Sequence, residues 1–284
     1  MILQLAGKSL DLSQPRIMGV LNCTPDSFSD GGRYQKFDSA LRHAAQMIEE
    51  GADIIDVGGE STRPGAPEVS IDEELQRVVP VIEALHREFD VPVSVDTSKP
   101  DVMLAAAAAG AGMINDVAGL RNPGALDAAA LVHRQSGVAV CLMHMQGTPR
   151  TMQQSPAYQN VVTEVLQFLL QRAKVAETAG IAASSLVLDP GFGFGKTVKH
   201  NLSLLHDLGV YADYTYPILV GLSRKVMIKK ILASNSDERL IGSVTLALLA
   251  AQRGAHIVRV HDVKATADAL TLLQALANNE SDPV

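Results

Sequence analysis

The chain has 284 residues, 47% of them apolar and 19% charged, with a formal net charge of −7. That length suits one large domain, and the mild acidity, spread without long runs of one sign, argues against nucleic-acid or anionic-membrane partners. No apolar run approaches the ~20 residues of a membrane span, the N-terminus lacks the basic-then-apolar layout of a secretory signal, and Cys23 and Cys141 match no disulfide or zinc spacing; a reducing, cytoplasmic setting is expected.

In chain order, residues 2–5 and 9–12 alternate around Ala6-Gly7-Lys8, which predicts a small hairpin covering one end of the fold. The first long apolar strand is expected over 16–21. The polar, turn-rich stretch from Asn22 to Gly32 then reads as a lid over a site rather than a plain connector. Asp38 is placed to cap a helix running through Glu50. Further strands are expected at 53–59, 91–95, 113–117, 138–143, 186–188, 217–221 and 255–260. Helices are expected at 71–89, 100–110, 127–135, within 156–180, and at 202–208, 225–232, 237–253 and 263–277. The strands are apolar throughout, as when helices cover a parallel sheet. Eight strand-helix units without a composition break predict an α/β fold, a (β/α)8 TIM barrel with an N-terminal hairpin, as one domain: hairpin over 1–14, barrel over 15–280. A doubly wound sheet is the runner-up, but no G-x-G-x-x-G follows the first strand.

Several strands end in the same way, with an apolar run delivering a polar side chain. Leu186-Val187-Leu188-Asp189 before a Gly-rich loop is the clearest case. In a barrel such groups meet at one mouth, so Asn22, Asp56, Asp96, Asn115, His144, Asp189, Arg259 and His261 form the candidate set. Asp56 precedes Val57-Gly58-Gly59 and is weighted toward a structural role inside the barrel. Asp96, Asn115 and Asp189 supply acceptors and an amide suited to a flat, NH-rich heterocycle, and Lys225 can donate to a ring carbonyl or lie along the ring. Arg259 and His261 lie on the same side of an extended segment, both able to carry positive charge. With Asn22 they predict an anion pocket for a phosphate or diphosphate, where the Asn22 carbonyl can also ligate Mg²⁺. Arg63 is a second anion clamp. Gly191, Gly193 and Gly195 match a dinucleotide loop only superficially, since Asp189-Pro190 breaks the pattern. Cys141 reads as core, Cys23 lacks a paired base, and Met143, His144 and Met145 read as lining of the mouth.

Seven motifs carry a family resemblance: N-C-T-P-D-S-F-S-D-G-G from Asn22, G-G-E-S-T-R-P-G-A from Gly58, V-S-V-D-T-S-K-P from Val93, I-N-D-V from Ile114, L-D-P-G-F-G-F-G-K from Leu188, G-L-S-R-K from Gly221 and R-V-H-D-V from Arg259. Together, nearly end to end and in order, they resemble bacterial dihydropteroate synthases, the pterin-binding barrels of folate synthesis. The resemblance implies condensation of 6-hydroxymethyl-7,8-dihydropterin diphosphate with 4-aminobenzoate, Mg²⁺ as cofactor, a homodimer through the last helices, and inhibition by sulfonamides. It also implies site roles. Asp96, Asn115, Asp189 and Lys225 look like the pterin readers, with Met143, Phe194 and Gly221 lining the slot. Asn22, Arg259 and His261 look like the diphosphate and Mg²⁺ group. Thr62, Arg63, Pro64, Ser223 and Lys225 lie toward 4-aminobenzoate, and Phe28 and Asp30 sit on the lid; of these, Asp96, Asp189, Lys225, Phe28, Asp30 and Arg63 are expected to serve the chemistry. A pterin-binding methyltransferase domain and a non-catalytic pterin-binding protein are the alternatives. The first wants a corrinoid partner domain and the second needs neither diphosphate clamp nor lids.

Overall fold

The structure, a computed structural model, describes residues 1–24, 33–61, 65–233 and 239–278, with the backbone alone at 33–36. Strands β1 (Ile2–Leu5) and β2 (Lys8–Asp11) pair antiparallel as a hairpin. Eight parallel strands follow: β3 (Arg16–Asn22), β4 (Ile54–Gly58), β5 (Val93–Asp96), β6 (Met113–Asp116), β7 (Ala139–Met143), β8 (Leu186–Asp189), β9 (Leu219–Val220) and β10 (Ile257–Val260). Their order is β8-β7-β6-β5-β4-β3-β10-β9, and the ring closes where Leu188 bridges Ile218 and its N–H donates to the Pro217 carbonyl at 2.9 Å. Around it run α1 (Arg33–Glu49), α2 (Ile71–Glu88), α3 (Pro100–Ala108), α4 (Ala125–Ser136), α5 (Val161–Thr178), α6 (Val198–His206), α7 (Gly209–Ala212), α8 (Val226–Leu232), α9 (Leu240–Gln252) and α10 (Val263–Asn278). The predicted TIM barrel and hairpin are both present.

The strands are apolar on both faces because both are buried. Outward residues such as Ile17, Ile55, Val95, Ile114, Leu142, Leu188 and Val258 join the helices in one large core. Inward residues at alternate positions, among them Met18, Ile54, Met113, Cys141, Val187, Leu219 and Ile257, form a second cluster inside the barrel. Leu3, Leu5 and Leu12 of the hairpin belong to that cluster, so the hairpin plugs the N-terminal end. Cys141 is core, as expected.

Some boundaries differ from expectation. Asp38 lies inside α1 and does not cap it, because the preceding Tyr34, Gln35 and Lys36 extend the helix back to Arg33. α5 starts at Val161 with Asn160 as cap, its side chain accepting from Thr163 N–H, and α6 starts at Val198 behind a Thr197 capping box. Strand β9 is only two residues long, the seam of the barrel. Among the described residues no helix is long and apolar enough to cross a membrane.

Candidate active site

Inside the barrel the lining changes character along the strands. The apolar layer above the hairpin gives way, on the same inward positions, to Asp56, Ser94, Asp96, Asn115, Asp189 and Arg259 toward the C-terminal end. Arg259 sits at the centre of this polar layer. Its Nε donates to Asp56 Oδ2 at 2.6 Å and its Nη2 to Asp96 Oδ2 at 2.8 Å, while Asn115 Nδ2 also donates to Asp56 Oδ2 at 3.1 Å. Burial raises Asp96 to about 7, against the pull of Arg259 and helped by the charges of Asp56 and Glu74. Asp56 is fully buried in this ion pair, the structural role given it by its place in the sequence.

Asp189 ends β8, with Oδ1 accepting the Gly191 N–H at 2.7 Å. Burial raises its pKa, opposed by that hydrogen bond and by the charges of Lys225, Lys196 and Arg259. The Gly-rich loop then turns back against the end of β7. Gly191 has φ of +70°, and a Cβ there would stand 2.0 Å from the His144 carbonyl oxygen, so no other residue fits. The loop presents Phe194, whose ring lies 4.3 Å from Lys225 Nζ in a cation–π contact. Burial lowers Lys225 to about 8, with Arg259 adding to the effect and Asp189 and Asp96 resisting. Val117, Met143, Met145 and Met152 gather with Phe194 into a separate apolar cluster, a soft wall beside the carboxylates and the lysine.

On the other side, Asn22 ends β3 opposite Gly58. A Cβ at Gly58 would come 3.9 Å from both Asn22 Oδ1 and Asp96 Oδ2, so the glycine leaves open a niche flanked by two hard oxygen donors. Beyond β9, the Ser223 Oγ lies 3.0 Å from His261 Nδ1 and accepts the His261 N–H at 3.2 Å. Gly221 lies beside Arg259, whose Cβ is 4.0 Å from where a Gly221 Cβ would stand. Such a mouth can hold a flat heterocycle between the apolar wall and the charged layer, and an anion toward Asn22 and His261.

A model of the family described as pterin binding enzyme matches residues 18–261. The chain belongs to the pterin binding enzyme family. It is 55% identical over 269 residues to the dihydropteroate synthase of Escherichia coli strain K12, covering 95% of this chain and 94% of that one. To the Haemophilus influenzae dihydropteroate synthase it is 54% identical over 271 residues, covering 95% and 97%. The Yersinia pestis dihydropteroate synthase with a sulfonamide drug complex superposes with a TM-score of 0.92 at 52% identity, over 98% of this chain and 100% of the other. The Xanthomonas albilineans dihydropteroate synthase with 7,8-dihydropteroate superposes with a TM-score of 0.88 at 49% identity, over 100% of both chains.

For a member of the pterin binding enzymes, the sequence places most of the mouth in view. The structure brings Asn22, Asp96, Asn115, Met143, Asp189, Phe194, Gly221, Ser223, Lys225, Arg259 and His261 to one end of the barrel. Phe28, Asp30, Thr62, Arg63 and Pro64 lie outside the described residues. Two features of the anion pocket were not visible in the sequence. The Arg259 guanidinium is engaged by Asp56 and Asp96 instead of standing open beside His261, because the inward face of β10 points it across the barrel. Burial, with Arg259 and Arg224 nearby, lowers His261 to about 3. Burial pushes the Cys23 thiol up to about 12.

Two buried or half-buried lysines near the mouth were not singled out from the sequence. Lys99 bridges Glu60, at the root of the second loop, to buried Glu74 of α2. Lys196 is itself buried, and burial lowers it to about 7 despite the nearby Asp189 charge. The only sequence signal for either was a lysine beside a functional strand end, which ordinarily means a solvated turn.

Proposed function

We propose that the chain is a dihydropteroate synthase, condensing 6-hydroxymethyl-7,8-dihydropterin diphosphate with 4-aminobenzoate to give 7,8-dihydropteroate and diphosphate. The reading is carried by near end-to-end identity, 55% over 269 residues, to a relative of that name. The mouth supplies groups that suit each stage. Asp189 and Asp96 offer acceptors to the NH edge of a pterin, Asn115 an amide, and Lys225 a donor to its carbonyl, with Phe194 and Met143 against the ring faces. The C–O bond to diphosphate breaks with its electron pair leaving on oxygen. The pterin methylene cation that remains is conjugated with the ring, and the buried carboxylates of Asp96 and Asp189 stabilise it more than they stabilise the neutral substrate. The neutral arylamine nitrogen then forms the new C–N bond and sheds a proton, so no strong base is required at attack.

Arg259 stands one strand from Asn22 and can turn part of its guanidinium toward the departing diphosphate. His261 and Ser223 add neutral hydrogen-bonding groups. Asn22 would hold Mg²⁺ through Oδ1, a hard oxygen donor facing the niche that Gly58 leaves open, since this ion takes few protein ligands alongside phosphate and water. When bound it neutralises developing charge on the leaving diphosphate. Among the described residues no cluster of three or more His, Cys, Asp or Glu offers an alternative metal site. Arg63, with Thr62 and Pro64, is assigned to the 4-aminobenzoate carboxylate, and Phe28 and Asp30 to the lid that excludes water from the cation. Diphosphate release on mixing both substrates with the enzyme tests the reading; none would be seen from a methyltransferase-type domain or a pterin carrier.

The charges set an expected pH profile. Asp96 must be ionised, which holds above about 7, and Lys225 must be an ammonium, which holds below about 8. The rate at low substrate should therefore rise and then fall through a narrow optimum between those values. Lys225→Arg should move the alkaline limb up while leaving the acid limb in place. An alkaline limb unmoved in that variant would remove Lys225 from the profile.

A homodimer through the last helices completes the reading. Val226, Ile231 and Leu232 of α8, Leu240 and Ile241 of α9, and Leu272 and Leu276 of α10 are all exposed, with Ile241 81% accessible. So many large apolar side chains on consecutive helices favour burial against a second copy. Sedimentation should find a dimer, and Ile241→Asp should shift it to monomer. A monomeric parent would sink this assignment.

A further inference from the structure

Lys196 takes no part in the steps above, yet its side chain is built into the site. It is only 3% exposed. Its Nζ donates to the carbonyls of Gly191 and Phe194, each at 3.0 Å, and of His144 at 3.3 Å, and lies 2.9 Å from His144 Nδ1. An ammonium has no acceptor. With Lys196 as the ammonium, its three hydrogens are shared among these four acceptors and His144 Nδ1 is one of them, with the ring hydrogen on Nε2. The ring is neutral, its pKa lowered to about 2 chiefly by burial, and it packs edge-on against Phe168 with centroids 4.9 Å apart.

The Gly-rich loop is wrapped around this nitrogen. Three carbonyl oxygens and an imidazole nitrogen converge on one buried point, acceptors that stay unsatisfied and repel one another unless a group with several N–H donors stands among them. The other polar groups of the loop are tied down around it: the Gly193 N–H donates to Asn201 Oδ1 at 2.7 Å, and Tyr158 OH donates to the Gly195 carbonyl at 2.8 Å. Two of the carbonyls that Lys196 grips belong to residues with a direct link to the slot. Gly191 is the residue whose N–H holds the Asp189 carboxylate, and Phe194 carries the ring beneath Lys225.

We propose that Lys196 is the positioning residue of the pterin slot: by gripping the Gly191, Phe194 and His144 backbone, it sets the Asp189 carboxylate and the Phe194 ring in register with Lys225. This deepens the synthase reading and rests on it. Lys196 acts through those residues and leaves the 4-aminobenzoate side untouched. A lysine serving stability alone would weaken folding without distinguishing the two substrates.

The distinguishing experiment uses Lys196→Met, which keeps the aliphatic stem and removes every donor, and Lys196→Gln, which restores two hydrogens without charge. Calorimetric titration of Lys196→Met with pterin diphosphate is expected to show affinity reduced at least ~30-fold. The KM for 4-aminobenzoate at saturating pterin diphosphate should change by less than ~3-fold. Lys196→Gln should recover ~5-fold or more of the lost affinity. A folded Lys196→Met variant with parental pterin affinity, or one that loses both substrates alike, overturns the proposal. Should Lys196→Met fail to fold, Lys196→Gln decides alone: a reduced pterin affinity supports the proposal and an unchanged one refutes it. Diphosphate release from the unaltered enzyme is measured alongside. A parent that binds pterin diphosphate but releases nothing refutes the synthase reading, whereas the titrations of the variants still decide the role of Lys196.

Discussion

Arg259→Met is expected to lower the stability of the fold by about 3–5 kcal/mol near neutral pH, the usual result of removing one partner from a buried ion pair. The guanidinium is the shared counter-charge of two carboxylates inside the barrel, Asp56 at 2.6 Å and Asp96 at 2.8 Å. Methionine fills similar volume but leaves both carboxylates without a cation, and Asp56 Oδ1 has no hydrogen-bond partner among the described residues even with Arg259 present. For an ordinary domain that loss is a large share of the total, about 5–15 kcal/mol. The pH dependence identifies the cause. Burial has already raised Asp96 above its unfolded value, to about 7, and without Arg259 it rises further. A raised folded pKa means that stability is present below the unfolded value and is lost as pH climbs through the folded one. The gap between variant and parent should therefore narrow on acidification, as Asp96 takes up a proton in both. Denaturant titrations at several pH values measure this directly. A gap under about 1 kcal/mol at neutral pH, in the range of a surface pair, would show that the ion pair carries little of the fold. A gap constant with pH would show that packing, not charge, was lost.

Asp189→Asn should fold normally but bind pterin diphosphate roughly 50- to 100-fold more weakly, a cost of about 2–3 kcal/mol for a hydrogen bond to a charged group. One carboxylate oxygen is committed to the Gly191 N–H at 2.7 Å, so recognition of the ring falls to the other. An asparagine that keeps the Gly191 bond through its carbonyl must turn its NH2 toward the substrate, donor against donor. The variant also removes a negative charge near Lys225, Lys196 and Arg259, the three cations that now lower its pKa. Turnover should fall further than affinity, because the same charge stabilises the methylene cation. Calorimetry and single-turnover rates test the two effects separately. Parental affinity in the folded variant would take Asp189 out of the pterin slot.

Much of this site was legible before any coordinates, and particular residues show why. Alternation along a strand sets side-chain parity. Once 54–58 and 93–96 are strands, Asp56 shares the inward face with Ile54, and Asp96 shares it with Ser94. The repeated apolar run ending in an acid or amide pointed to one mouth, and the motif order pointed to one family. Asp38 shows the opposite limit: a residue suited to an N-cap lies within α1, which begins five residues earlier at Arg33 in a stretch where Arg33, Gln35 and Lys36 favour helix.

The sequence by itself therefore determined the eight strand-helix units, the inward parity of Asp56, Asp96, Asn115, Asp189 and Arg259, and the family to which their pattern belongs. The tertiary structure alone decided which of these groups meet. Arg259 reaches Asp56 across 203 positions of chain because the sheet curls into a ring that sets β10 beside β3 and faces it toward β4. It also decided the burial of His261 and of Lys196. Both depend on how much water the closed barrel and its loops exclude, and desolvation is a property of the assembled surroundings that no local stretch of sequence contains.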